Sequence, residues 1–150
     1  MGRSKKNLLI KNSKETIDKF KRIGFEFYQN NNKIHLFSFK NFLIVTLLNL
    51  EKEYLKKYKT ILLPNEDYIL FYKKKGTNIY KEDFVKESKE NINFSLEMEY
   101  HDLFYKLMHT FYINNSKNYS NYSSQMFFEE IVKYITNNSL LMIEINDSDN

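Results

Sequence analysis

Thirteen Phe and twelve Tyr lie in a chain of 150 residues that has no Ala, Cys or Trp, so its core must be built largely from aromatic rings and branched aliphatic side chains. That much apolar surface is incompatible with wholesale disorder. At this length one core is expected to bury roughly 70% of the surface the unfolded chain exposes. The lack of Cys excludes a disulfide scaffold, thiolate-held zinc, a thiol nucleophile and iron–sulfur ligation. The scarce residues are those with GC-rich codons, so the abundance of Asn and Lys also carries the stamp of AT-rich coding.

The apolar pattern sets the expected elements. Asn12 or Ser13 can cap a helix running to about Ile23, with Glu15 as a capping-box partner and Gly24 as its stop. Phe25–Tyr28 and Lys33–Phe39 read as two strands joined by the polar turn at residues 29–32. From Phe42 to Lys59, Leu43, Leu47, Leu50, Tyr54 and Tyr58 recur at steps of three and four, which predicts a helix whose first half is buried. Ile61–Leu63 and Tyr68–Tyr72 suggest a second strand pair, followed by a basic loop and a short strand at Ile79-Tyr80. The clearest helix is expected from Ser95, with Leu96, Tyr100, Leu103, Phe104, Leu107, Met108 and Phe111 on one face. A Tyr-rich loop at Asn114–Ser124, a helix from Ser123 or Ser124 to Tyr134 and a last strand at Leu140–Ile145 complete the series.

No repeat of solenoid period is visible. Helices and strands mix without a βαβ rhythm, so the expected class is α+β. It is drawn as a basic arm (1–12), one compact domain of two or three antiparallel hairpins against three or four helices (13–145), and a polar tail (146–150). The longest apolar run, Phe42–Leu50, is broken by Thr46 and Asn49 and falls far short of the ~20 residues of a membrane span. A soluble, intracellular protein with no membrane partner is expected.

Catalytic signatures are absent. Glycine stands only at positions 2, 24 and 76, so neither a P-loop nor a dinucleotide fingerprint can form. No Gly-x-Ser-x-Gly or His-Glu-x-x-His motif occurs. His101-Asp102 resembles the dipeptide of metal phosphohydrolases, but His101 and His109 lie ~12 Å apart along one expected helix, too far to share a metal. The expectation is therefore a non-enzyme with no cofactor, no metal and no small-molecule substrate.

Charge is the informative feature. Residues 1–75 carry 17 Lys and Arg against seven acids, whereas residues 76–150 carry six Lys against 12 acids. The candidate nucleic-acid contacts are Arg3, Lys5, Lys6, Lys11 and Lys14 on the arm and first helical turn, with Lys73, Lys74 and Lys75 in the basic loop. Such lysines neutralise phosphates and release counterions without reading bases. Phe25, Phe27, Tyr28, Phe37, Phe39, Tyr58 and Tyr72 would be available to stack on unpaired bases, although strand aromatics more commonly belong to a core.

These features point to a non-enzymatic accessory factor of a ribonucleoprotein assembly such as the ribosome, contacting RNA phosphates and neighbouring proteins. The alternative is a protein–protein subunit of an intracellular complex, with Tyr119 and Tyr122 at its interface. A metal-dependent hydrolase built on His101 and Asp102 comes third.

Overall fold

The computed structural model describes residues 4–73 and 89–143. Along the chain these form β1 (Lys5–Ser13), α1 (Lys14–Asn30), α2 (Phe39–Tyr58), α3 (Glu66–Lys73), β2 (Lys89–Glu97), α4 (Met98–Asn115) and α5 (Ser124–Asn138), with short 3-10 turns at Ile34–Leu36, Ser116–Asn118 and Ser139–Leu141. The class is α+β, but with five helices and one two-stranded antiparallel sheet among the described residues.

The expected basic arm is a strand from Lys5 onward. β1 and β2 pair residue for residue, with Lys5 facing Glu97, Leu9 facing Asn93 and Ser13 facing Lys89. Alternation places Leu8, Ile10 and Asn12 of β1 on the inner face with Ile92, Phe94 and Leu96 of β2. Leu96 is thus the last inward residue of a strand, and α4 begins at Met98 rather than at Ser95.

The expected strands at Phe25–Tyr28 and Lys33–Phe39 do not form. Ile23, Phe27 and Tyr28 extend the inward stripe begun by Ile17 and Phe20, so α1 runs on to Asn30 and the second segment holds a 3-10 turn. Gly24 does not stop α1; it lies where a Cβ would stand 2.6 Å from the Phe42 ring. Ser13 caps this helix, its Oγ accepting from the Thr16 N–H at 3.1 Å. Asn12 instead donates to the Gln125 carbonyl at 3.0 Å, tying β1 to α5.

Tyr68 and Tyr72 belong to α3, four residues apart with their rings stacked, so the expected strand pair at 61–63 and 68–72 is replaced by an irregular segment and a helix. Leu140–Ile143 is a 3-10 turn and its exit rather than a strand. The strand expected at Ile79-Tyr80, the end of the one expected at Leu140–Ile145 and the tail at 146–150 lie outside the described residues.

Aromatic rings fill the core as the composition requires. Phe20 sits among Phe42, Phe94 and Phe128 at centroid distances of 5.2, 5.9 and 5.2 Å, and each fully buried ring contributes about 1.5–3 kcal/mol. The two polar interruptions of the α2 apolar run are satisfied internally. Thr46 donates to the Phe42 carbonyl at 2.8 Å, and Asn49 both donates to and accepts from the Ile143 backbone at 2.8 Å.

The elements repeat. A constant offset of 84 carries β1 onto β2 (Lys5 to Lys89, Ser13 to Glu97) and the start of α1 onto the start of α4 (Lys14 to Met98). The same offset matches Phe20 with Phe104, Ile23 with Leu107, Phe27 with Phe111 and Tyr28 with Tyr112. An offset of 85 matches the N-caps Ser38 and Ser123, and Phe42 with Phe127. Ring packing follows the same symmetry: Phe42 packs on Phe20 and Phe27 as Phe127 packs on Phe104 and Phe111. Across the units α2 packs on α4, and α5 on α1. Two strand–helix–helix units are thus related by a pseudo-two-fold axis through the Leu9–Asn93 pair, at the centre of the β1–β2 register.

Gly24→Ala tests the tight crossing of α1 and α2. Helix propensity alone would stabilise this change by about 1 kcal/mol, whereas overpacking against the ring costs about 1–3 kcal/mol. The expected outcome in urea unfolding is a net loss of stability, and a gain would show that α2 yields to the added methyl.

Candidate nucleic-acid interface

The helices cover one face of the β1–β2 ribbon and leave the other to solvent. On that outer face β1 presents Lys5, Asn7, Leu9 and Lys11, all exposed. β2 presents Lys89, Asn91, Asn93 and Ser95, also exposed. Leu9 is the one apolar member, 57% exposed beside Asn93. Asn93 donates to the Asn7 side-chain oxygen at 3.5 Å, at the limit of hydrogen bonding. Asn is depleted in strands because its amide competes for the backbone, yet three of the ribbon's outer positions hold it.

The first turns of α2 and α5 frame the two ends of the ribbon. Lys40 of α2 lies 3.6 Å from Glu97 at the end of β2, while Gln125 of α5 accepts from Asn12 near the end of β1. Glu97 also meets Lys5 at 3.9 Å. Its carboxyl is held below the usual range, first by a backbone hydrogen bond and then, against some desolvation, by Lys40 and Lys5.

The lysines expected to act together are distributed over several sites. Lys5 and Lys11 stand on the outer face. Lys14 turns to its own helix, 2.7 Å from Asp18 and 4.0 Å from Glu90, and this pairing raises its pKa. The charges of Lys6 and Lys73 both act on His101, helping to lower its pKa. The Lys73 ammonium lies 5.9 Å from the Tyr105 ring centroid, and that ring packs 5.2 Å from His101. Arg3, Lys74 and Lys75 lie outside the described residues. Asn7, Lys89, Asn91, Asn93 and Ser95 are new to the site; the strict alternation of residues 91–96 carries the signal for Asn91, Asn93 and Ser95, and the β1–β2 register adds Asn7 and Lys89.

The aromatic residues considered for base stacking are mainly structural. Phe27, Tyr28 and Tyr72 are buried, while Phe25, Phe37 and Phe39 form a ring chain linked at 5.8 and 5.3 Å on the helical side. None of the seven lies on the ribbon. Tyr122 is fully buried against Phe111, Tyr112 and Tyr119, so its ring belongs to the core rather than to an interface; Tyr119 is half-buried.

The histidines do not gather. His35 is exposed in the first 3-10 turn, His101 packs on the Tyr105 ring, and His109 Nδ1 is hydrogen-bonded to the Tyr72 hydroxyl at 2.6 Å. Among the described residues no group of three His, Asp or Glu side chains is placed to hold a metal ion. No described helix is long and apolar enough to cross a membrane.

Burial lowers the pKa of both His101 and His109; Lys6 and Lys73 push His101 further down while Asp102 opposes them. The folded state therefore binds fewer protons than the unfolded chain, whose histidines titrate near 6.5. Their contribution is fully present above about pH 6.5 and is lost as pH falls toward the folded values. The melting temperature is expected to drop between pH 7.5 and 5.5, and the drop should shrink in His101→Gln/His109→Gln. An equal drop in both proteins would place the titration elsewhere. No family model, curated protein or solved structure matches this chain.

Proposed function

We propose that the protein is a non-enzymatic nucleic-acid-binding protein that meets its partner with the outer face of the β1–β2 ribbon. The observation that carries this reading is the composition of that face: of its eight exposed outward residues three are lysines and three asparagines, with Leu9 and Ser95 the others, and the ribbon's inner side packs into the aromatic core. Lysine supplies phosphate attraction and counterion release, and Asn supplies a paired donor and acceptor suited to a base edge. The basic first half of the chain, expected to serve RNA phosphates in a ribonucleoprotein, contributes here through Lys5 and Lys11, while the second half adds Lys89.

Neutralising Lys5, Lys11 and Lys89 to Gln tests the reading. Binding to a random-sequence nucleic acid should weaken, and the slope of log affinity against log salt should become shallower by about 0.7–0.9 for each phosphate that the variant no longer neutralises. Lys56→Gln/Lys57→Gln serves as a control, because those residues lie near the far end of the 20-residue α2, about 26 Å from its ribbon-side start. Equal affinity and equal salt slope in the triple variant and the control would remove the proposal.

A further inference from the structure

The pseudo-two-fold axis bears on the form of nucleic acid. Resting on the nucleic-acid reading of this face, we infer that the ribbon's occupant is B-form duplex DNA, read in the major groove at an imperfect inverted repeat.

Three observations select it. The first is shape. Two strands about 4.8 Å apart and nine residues long make a ribbon about 30 Å in length. The B-DNA major groove, about 12 Å wide and 8.5 Å deep, admits such a ribbon. The corresponding groove of an A-form RNA helix is deep and narrow and keeps side chains from its bases.

The second is the chemistry of the face. Proteins that hold single strands stack bases on exposed rings. The outer face of this ribbon carries no aromatic residue, although the chain has 25 Phe and Tyr. Its amides match the adenine edge instead, where the Asn side chain accepts from N6 and donates to N7.

The third is symmetry. Duplex DNA has local two-fold axes, and a two-fold reader places one unit on each half-site. Here the axis passes through Leu9 and Asn93, and the outer positions nearest the start of each strand are identical: Lys5 matches Lys89 and Asn7 matches Asn91. Farther along, Leu9 matches Asn93 and Lys11 matches Ser95, so the two half-sites share one part and differ in the other. Asn91 faces Lys11, four residues along β1 from Asn7. The two amides are therefore about 13 Å apart along the ribbon, far enough to meet different base pairs.

The test uses the full chain and a random-sequence duplex DNA library. Sequences enriched by repeated binding should be imperfect inverted repeats with an adenine in each half. The best duplex should bind at least tenfold more tightly than a scrambled duplex, an RNA duplex of the same sequence or either single strand at the same salt. Asn7→Ala and Asn91→Ala should each cost on the order of tenfold on that duplex and relax preference in opposite halves. Asn7→Ser and Asn91→Ser replace them if either alanine variant shifts the melting temperature.

Absence of any enriched sequence, or RNA bound as tightly as the best DNA, overturns the inference. If RNA wins and Lys5→Gln/Lys11→Gln/Lys89→Gln still loses binding, the nucleic-acid reading stands without the duplex-DNA inference. If the protein binds neither nucleic acid, both fall.

Discussion

The rest of the molecule depends on the pairing of β1 with β2. A two-stranded ribbon is marginal by itself in water, and this one persists because its inner face joins an aromatic core walled by helices from both units. Phe94 points from β2 into Phe20 of α1, so closing the ribbon and packing the helices are one event. Each strand passes directly into a helix, at Ser13–Lys14 and at Glu97–Met98, which fixes the direction in which the helices leave the ribbon. With the described helices on one side, the opposite side stays exposed from Lys5 to Lys11 and from Lys89 to Ser95.

The legible parts of the sequence are those whose partners lie close along the chain. The stripe of Leu43, Leu47, Leu50 and Tyr54 on α2, and that of Leu103, Phe104, Leu107 and Met108 on α4, state their own buried faces. Phe25–Tyr28 misleads because three aromatics, two of them flanking Glu26, read as a strand would, while the wider window from Ile17 to Tyr28 has helical spacing and prevails through its packing. The ribbon is harder to see, because β1 and β2 begin 84 residues apart and neither strand forms a local hairpin. Residues 4–12 have the charge of an arm, and only the partner strand shows that Leu8 and Ile10 face inward. Lys5 and Lys11 are legible through their charge alone. The amides beside them acquire meaning only when alternation on two strands places them on one surface.

The charge split between the two halves has a structural use as well. Three ion pairs among the described residues join the units, each running from a lysine of the first to a carboxylate of the second: Lys5 and Lys40 to Glu97, and Lys14 to Glu90. Such exposed pairs contribute only about 0–1 kcal/mol each, so they add little stability beside the aromatic core. Their value lies in the choice of partner. If the first unit paired with a copy of itself, the position of Glu97 would hold Ser13 and that of Glu90 would hold Lys6, setting Lys14 beside another cation. The acidic second half thus favours pairing within one chain over pairing between copies of the basic half. It also makes the two ends of the ribbon chemically unequal, which a symmetric homodimer cannot be. A surface assembled in this way keeps the two-fold spacing of its amides while giving each half its own set of neighbours.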